Sequence, residues 1–593
     1  MRLVLHFMKP YWFMATVTVL LSFVESFATL LVPTFLAELI NEGATSVSLD
    51  AMIGTCIRML AVALIASICA ITGGWLASVL SSRVARDIRD AVYKKSLDLS
   101  MFDFRSFGTA SMTTRTINDV NIIQVMITNF IFMMMPVPFI FALALFLSFR
   151  LSVPLAWYLV GFIVLIIIVA AFILRSASPL YRKLQRLLDR IGTVLLENMT
   201  GVRVIRAFGK EKYENKRMNS TFRNYANTSI RANRLFANLD GLSYVAVNLF
   251  IAVVYFLAGH YISLGQFGIG DIVAIIEYAV FCLFYLMMAQ MMIAMLPRAL
   301  ECCRRVRSVL EHEPRIQDPA AIEAVDMSQR GPLKDGEVMR FNDVTFRYDD
   351  AEENSLEHIS FTCSKGKTTA IIGGTGSGKS TIAMLAMRFQ EATQGSITLD
   401  GVDVRNMKQH DLRERVSLIQ QRAWLFSGSL EDNLQFRDVN AEEEELRHAL
   451  SVAQATGFVD ELPQGLSTRV AQGGTNFSGG QRQRLSIARA LIGHSQMIIF
   501  DDSFSALDFL TDAALRKALG KEMSDRAVLI IAQRVNTIQH ADEIIVLNDG
   551  RIAGRGTHEE LLRDCEVYRE IVESQTQQHD EPKQTVAAQG GER

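Results

Sequence analysis

Two short motifs in the second half of the chain carry the residue types needed to bind and cleave a phosphate anhydride. Residues 373–381 read GGTGSGKST, and residues 497–503 read MIIFDDS. An apolar strand-like run, residues 369–372, precedes the first motif, and helical apolar spacing follows it. This strand, glycine loop and helix context is typical of a Walker A phosphate-binding loop.

The chemistry of each motif assigns roles to individual residues. Glycines let the backbone curl so that its N–H groups face phosphates, a lysine (Lys379) reaches the β- and γ-phosphates, and the hydroxyl of Ser380 ligates Mg²⁺. Asp501 ends the second strand and is expected to hold Mg²⁺ through its hydration shell. ATP and Mg²⁺ are therefore the expected cofactors. The predicted phosphate-binding residues are Gly373, Gly374, Thr375, Gly376, Ser377, Gly378, Lys379, Ser380 and Thr381.

Composition divides the 593-residue chain into a membrane half and a soluble half. Half of the residues are hydrophobic, and long apolar runs recur from residue 12 to 297, whereas residues 338–573 are rich in charge. The formal net charge of −2 argues against nucleic acid as a partner, because such binders neutralise phosphates with basic residues. The seven cysteines have no metal-ligand spacing and are interpreted as packing residues.

Six apolar stretches are long enough to cross a bilayer as helices. Basic residues concentrate in the segments 84–115 and 175–234, whereas the loops on the opposite side hold only Arg150. The positive-inside rule places both basic segments and the soluble half in the cytoplasm. The first span is too long for a signal peptide and is expected to be retained. The predicted spans are residues 11–40, 52–80, 125–149, 153–174, 236–262 and 272–296.

Ionisable residues at membrane depth indicate functional positions, because burying charge there is expensive. Glu38, Arg58 and Asp240 lie near span ends, where they can reach the interface, whereas Glu25 and Glu277 lie deeper and favour a cavity. The sixth span also carries five methionines, an adaptable surface for apolar ligands or an ordinary packing surface. These are Met287, Met288, Met291, Met292 and Met295.

The segment 477–491, FSGGQRQRLSIARAL, resembles the signature sequence of ATP-binding cassette (ABC) proteins. In that family Ser478, Gly479, Gly480 and Gln481 would begin a helix whose N-terminus points at the γ-phosphate held by the opposite subunit. The resemblance also implies that the residues of this chain serve two different nucleotides.

Further motifs of the same family follow in order. Tyr348 resembles the aromatic that stacks on adenine, with an exposed strand residue as the alternative. Gln421 matches the glutamine that contacts Mg²⁺ and signals to the membrane helices, although Gln420 stands before it where proline is usual. Residues 505–508, SALD, resemble the D-loop.

The segments 106–120 and 197–211 resemble the intracellular loops of type I exporters, with a pair of solvated basic helices as the alternative. The resemblance to a half-transporter covers about residues 8–573 and implies coupling helices near 101–107 and 208–214.

The implied fold class is an α-helical six-span transmembrane domain with long cytoplasmic helical extensions, followed by an α/β P-loop nucleotide-binding domain with an antiparallel β subdomain and a helical signature subdomain. The predicted domains are residues 1–312 for the membrane, a linker at 313–337, a nucleotide-binding domain at 338–573, and a disordered polar tail at 574–593. We expect a multi-pass protein of a bacterial inner membrane with its nucleotide-binding domain in the cytoplasm.

Two positions depart from the family pattern. Asp502 stands where the family has a catalytic glutamate, and Gln533 stands where it has a switch histidine. Aspartate withdraws the carboxylate by about 1.5 Å, one carbon–carbon bond. Glutamine donates a hydrogen bond but does not become cationic near neutral pH, as histidine does. ATP binding should therefore survive better than hydrolysis.

These departures predict one subunit of a heterodimeric, multidrug-type exporter. Its own Walker site is impaired, while its signature completes the competent site of a second half-transporter, with drift in an active homodimer as the alternative. The expected cargo is a small hydrophobic or amphipathic drug, lipid or peptide. An ATP-gated channel or regulatory assembly and an importer with the exporter fold remain alternatives.

Overall fold

The computed structural model describes residues 2–44, 49–263, 268–319, 336–493 and 495–580. The chain divides into two compact units, each of which draws on two stretches of sequence. One unit comprises Met1–Asp98 and Phe107–Glu313, and the other comprises Leu99–Ser106 and Pro314–Arg593. Most of the predicted linker lies outside the described residues.

Every secondary-structure element in the described residues of the first unit is a helix. Long, mostly apolar helices dominate it, as expected for segments that satisfy all their backbone hydrogen bonds internally. Its α-helices are α1 (Arg2–Met8), α2 (Trp12–Ala44), α3 (Leu49–Asp98), α5 (Thr109–Thr114), α6 (Val120–Asn129), α7 (Pro136–Leu151), α8 (Val153–Thr200), α9 (Val202–Ala207), α10 (Glu211–Ser263) and α11 (Ile269–Leu310). The short helix α4 (Met101–Phe107) lies almost wholly in the second unit.

Four helical stretches are long and apolar enough to cross a membrane: Arg2–Gly43, Leu49–Asp98, Thr109–Leu151 and Ile269–Leu310. They contain four of the six predicted spans. The other two predictions fall in α8 and α10, whose described apolar stretches, Val153–Leu165 and Tyr244–Phe256, are shorter. The count of six therefore stays a prediction.

The third predicted span is not one regular α-helix, and this corrects the expectation for residues 125–149. A π-helical turn, Phe130–Met134, separates α6 from α7. Pro136 lies at the start of α7 and has no backbone N–H to continue the preceding ladder of hydrogen bonds. A second π-helical turn, Arg115–Asp119, precedes α6 and buries Asp119, which accepts a 2.6 Å hydrogen bond from Arg305 of α11.

A six-stranded sheet forms the centre of the second unit, in the order β12-β11-β3-β10-β9-β6. All neighbouring strands in it are parallel except β11 and β12. Carboxyl ends of parallel strands meet at one edge, so residues that follow β3, β9 and β10 are brought together. The strands are β3 (Thr368–Gly373), β6 (Val416–Ile419), β9 (Met497–Asp501), β10 (Ala527–Ile531), β11 (Glu543–Asn548) and β12 (Arg551–Gly556).

A separate antiparallel sheet has the order β2-β1-β4-β5, and a small two-stranded sheet joins β7 to β8. Burial does not alternate strictly along β1, because register shifts interrupt its pairing and Val344, Thr345 and Phe346 are all buried. Tyr348 lies two residues beyond the end of β1. These strands are β1 (Glu337–Phe346), β2 (Leu356–Ser364), β4 (Gln394–Leu399), β5 (Val402–Asp403), β7 (Gly428–Ser429) and β8 (Arg469–Val470).

Ten α-helices complete the described part of the second unit: α12 (Lys379–Ala386), α13 (Gln409–Arg415), α14 (Leu430–Leu434), α15 (Glu443–Val452), α16 (Thr456–Asp460), α17 (Gly479–Leu491), α18 (Phe509–Glu522), α19 (Val535–Ile538), α20 (His558–Asp564) and α21 (Glu566–Asp580). The last helix continues past residue 574, so the structure differs from the predicted disordered tail at residues 574–580. Residues 581–593 lie outside the described residues.

Candidate functional site

The loop between β3 and α12 has the backbone of a phosphate cradle. Gly376 and Gly378 have φ values of +86° and +93°, in the left-handed region that favours glycine. A Cβ at Gly378 would lie 2.6 Å from the Leu356 side chain, and one at Gly373 would lie 2.2 Å from the Leu547 carbonyl oxygen. Only glycine fits at these two positions, so the sequence closes the loop tightly at both ends.

Lys379 and Ser377 present polar groups to this loop. The Lys379 ammonium donates hydrogen bonds to the carbonyl oxygens of Gly373 at 2.9 Å and Gly374 at 2.6 Å. The Ser377 hydroxyl is buried without a hydrogen-bond partner among the described residues. Burial lowers the pKa of Lys379, and the nearby charges of Asp502 and Asp501 oppose that shift. A phosphate in the loop would accept a charge-assisted hydrogen bond from the Lys379 ammonium.

Ser380 and Asp501 meet as predicted for a Mg²⁺ site. The Ser380 hydroxyl donates to Asp501 at 2.9 Å, from the first turn of α12 to the end of β9. Burial raises the pKa of Asp501. A hydroxyl and a carboxylate are hard oxygen donors, the type that Mg²⁺ prefers. The donor set therefore fits Mg²⁺ beside the phosphates.

Asp502 is held by the two glutamines that the sequence assigns to catalysis. One of its carboxylate oxygens, Oδ2, accepts hydrogen bonds from Gln421 Nε2 at 2.9 Å and from Gln533 Nε2 at 3.0 Å. Its backbone adopts φ +47°, a conformation that aspartate tolerates better than most residues. Burial raises the pKa of Asp502, although the Gln421 bond opposes this. The structure thus unites Asp502, Gln421 and Gln533 in one polar cluster.

Tyr348 is half-buried beside α12. Its hydroxyl lies 3.2 Å from the Thr381 hydroxyl, and its ring packs edge-on against Phe346. A cavity of about 370 Å³ lies beside it, within the second unit. Part of the cavity wall comes from α4, through Met101, Phe102 and Arg105. The position beside the Walker loop suits an aromatic that stacks on a nucleobase.

The signature residues lie at an exposed helix start. Ser478 is the N-cap of α17, and it exchanges hydrogen bonds with Gln481 in a capping box. Among the described residues, no atom lies within 4 Å of where a Cβ at Gly479 would be placed, whereas a Cβ at Gly480 would meet the Ala506 carbonyl oxygen at 3.3 Å. The start of α17 is thus free to face a ligand supplied from outside this chain.

Two contacts were missed by sequence reasoning. Gln575, in the predicted disordered tail, bonds to the backbone on both sides of Arg534. Arg315, in the predicted linker, donates its backbone N–H to Asp103 of α4 at 3.0 Å. The apolar spacing of Tyr568, Ile571 and Val572 indicates that the helix extends toward Gln575, but no motif marks Arg315.

The geometry defines a nucleotide-hydrolysing domain attached to a helical membrane domain, and the comparisons with known proteins agree. Residues 15–287 match the family model for the ABC transporter transmembrane region, and residues 356–505 match the ABC transporter model. The chain is 34% identical to an uncharacterized ABC transporter ATP-binding protein of Mycobacterium tuberculosis (strain CDC 1551 / Oshkosh), covering 96% of this chain and 97% of the relative. The chain belongs to the ABC transporter family.

Two further similarities concern the fold and the ATP-dependent activity. An ATP-dependent lipid A-core flippase of Desulfotalea psychrophila (strain LSv54 / DSM 12343) is 29% identical, covering 81% of this chain and 82% of the flippase. The solved structure of a bacterial Atm1-family ABC exporter with ATP bound has a TM-score of 0.77 at 23% identity, and it covers 99% of both chains. The fold is therefore that of an ABC exporter, and the chain is an ATP hydrolase of the transporter type.

Proposed function

We propose that this chain is the catalytically weaker half of a heterodimeric exporter with six spans per subunit. The observation that carries the proposal is the Asp502 cluster. A short carboxylate is held by two neutral amides, Gln421 and Gln533, where hydrolysis needs a general base within reach of a water. The outcome is a site that binds ATP and turns it over slowly.

The hydrogen bonds from Gln421 and Gln533 to Asp502 engage groups that hydrolysis would otherwise use. Gln533 points its Nε2 donor at Asp502, so that donor is engaged before it reaches a γ-phosphate. The two bonds hold the carboxylate in place and occupy its Oδ2 atom. Asp502 is also one methylene shorter than glutamate. Each effect lowers the rate of proton removal from the attacking water, and all three act on one step.

The other site of the assembly uses the start of α17. Ser478 and Gly479 are exposed at the first turn of this helix, whose N–H groups would meet a γ-phosphate held by the Walker loop of a second half-transporter. That partner supplies its own carboxylate and switch residue. One competent site and one slow site follow from the pairing.

Mg²⁺ would be held at this chain's Walker site by Ser380 and Asp501, with Gln421 as the third predicted contact. The ion would neutralise charge on the phosphates. In the structure Gln421 donates to Asp502, so a contact with Mg²⁺ requires its amide to turn and present Oε1. Gln421 therefore links occupancy of the metal site to the position of Asp502.

The cargo proposed for this exporter is a cationic amphipathic molecule. Glu25 of α2 is half-buried within a predicted span. Among the described residues, Glu25 has no ion-pair partner, whereas Arg58 near a span end is paired with Glu38 at 2.9 Å. A cation on the cargo would compensate this acidic charge.

Of the predicted methionine surface, Met291 and Met295 are exposed and Met292 is buried. The Asp240 side chain lies outside the described residues.

Replacing Glu25 with glutamine is expected to weaken transport of cationic amphiphiles about tenfold, because one unscreened ion pair is lost. Uptake of a cationic dye and of a neutral dye of similar size is measured in inside-out vesicles. Glu38→Gln is the matched control at the membrane edge. An equal loss of uptake for both dyes would contradict charge recognition by Glu25. Dye flux that continues at fixed ATP without accumulation would favour a channel.

The chain purified alone is expected to bind ATP but to hydrolyse it at least about tenfold more slowly than the complex with its partner. Both sites of a homodimer would contain Asp502 and Gln533. Steady-state ATPase and nucleotide binding are measured on both preparations in the same lipid. Equal ATPase rates would contradict the heterodimer and favour an active homodimer.

A further inference from the structure

The C-terminal helix α21 is anchored to the catalytic domain and does not project freely. Tyr568 is fully buried, and its hydroxyl lies 2.7 Å from His558 Nδ1. Ile571 and Val572 pack against the apolar cluster that contains Ala532 and Val535, which flank Gln533 in sequence. These α21 residues and Gln575 recur at helical spacing on one face. The side chain of Gln575 therefore extends from a fixed support.

Gln575 makes two hydrogen bonds to the backbone that carries Gln533. Its Nε2 donates to the Gln533 carbonyl oxygen at 2.7 Å, and its Oε1 accepts from the Val535 N–H at 2.9 Å. An amide that uses its donor and its acceptor on one backbone segment fixes the position and the rotation of that segment. The glutamine thus clamps both sides of Arg534.

The hydrogen bond from the Val535 N–H to Gln575 also caps the start of α19. Val535 is the first residue of α19, so its N–H has no partner within the helix. The N-cap residue, Arg534, provides no side-chain hydrogen bond to the helix. Gln575 supplies the missing acceptor from a different helix. The start of α19, and with it the loop after β10, depends on α21 for its order.

We propose that Gln575 is a positioning residue for hydrolysis, which sets the Gln533 backbone and through it the reach of the Gln533 amide toward Asp502. The chemistry stays with Asp502 and Gln533, and Gln575 acts only through the second of these. ATP binding at the Walker loop does not involve Gln575. Loss of Gln575 should therefore loosen the hold of the Gln533 amide on Asp502, raise the rate of hydrolysis and leave nucleotide affinity in place.

The direct test is amide hydrogen exchange of the full-length protein, measured on a peptide that contains Val535. Gln575→Ala should raise exchange there about fivefold, the equivalent of one helix cap. Gln575→Glu keeps an acceptor for the Val535 N–H and should restore most of the protection. Thr576→Ala is the matched control, because the Thr576 hydroxyl bonds only within α21, to the Val572 carbonyl oxygen. Unchanged exchange in Gln575→Ala would overturn the proposal.

The functional test separates positioning from general stability. In single-turnover hydrolysis by the full-length protein, Gln575→Ala should raise the rate about two- to fivefold, because the Gln533 amide is released from Asp502, and leave the apparent ATP affinity within about twofold. The same change in a Gln533→Ala background should have no further effect, because the side chain through which it acts is gone. A lower rate in Gln575→Ala, or an equal change of rate in both backgrounds, would overturn the role of Gln575 in positioning Gln533.

Discussion

Replacing Gly479 with aspartate is expected to reduce ATPase of the complex by about 100-fold or more, because it places a negative charge where the γ-phosphate of the competent site must be stabilised. Space does not limit this variant, since no atom of the described part of the chain lies within 4 Å of a Cβ at Gly479. Gly479→Ala is the matched control and should retain much more activity. Steady-state ATPase of the purified complex gives the comparison.

Asp502→Asn in the same complex should lower ATPase activity by less than about threefold, because this chain's own site contributes little to turnover. The asparagine retains the shape of the residue and tolerates the left-handed backbone at this position. If Asp502→Asn proved as damaging as Gly479→Asp, the assignment of the slow and competent sites would be wrong.

Restoring the family residues should create a second active site. The double change Asp502→Glu with Gln533→His is expected to raise hydrolysis at this chain's own site about tenfold or more, because a longer carboxylate reaches the water and an imidazole replaces an amide. The two changes should combine non-additively, since they act on one transition state. The partner's catalytic glutamate is replaced by glutamine, so nucleotide trapping reports this site alone.

A control for the restored variant is its thermal stability. Glutamate at the φ of +47° found at Asp502 costs about 1 kcal/mol, so a small loss of Tm is expected from backbone strain alone. No gain in trapping by a folded double variant would mean that the signature supplied by the partner limits the slow site. Faster hydrolysis without faster transport would indicate that a retained nucleotide helps to hold the two subunits together.

The sequence predicted the parts of the fold that are written in local patterns. The Walker loop, the strand before Asp501 and the signature helix each follow from a motif whose glycine or apolar spacing permits one local conformation. The break at Phe130–Met134 was missed, because a π-helical turn leaves the apolar composition of a span unchanged.

Contacts between residues that are distant in sequence could not be predicted, for a different reason. The sequence showed that Asp502 and Gln533 depart from the family pattern. It did not show that the Gln533 amide donates a hydrogen bond to Asp502. That bond depends on two parallel strands ending at the same edge with a particular register. Gln575 was overlooked because a polar composition predicts disorder, whereas the buried Tyr568 anchors the helix that carries it.

The attachment of α4 to the second unit has a practical consequence for protein expression. Arg315 donates its backbone N–H to Asp103, pairs with Asp349, and lies with its guanidinium 5.1 Å from the centre of the Phe102 ring. A soluble fragment that begins at Pro314 would lack two of these partners, Phe102 and Asp103 of α4. The apolar surface beneath Phe102 would then be exposed to water. A fusion that joins residues 99–106 to residue 314 through a short flexible linker would restore the whole unit. Fragments cut at a single point in the sequence should aggregate more readily than this spliced one.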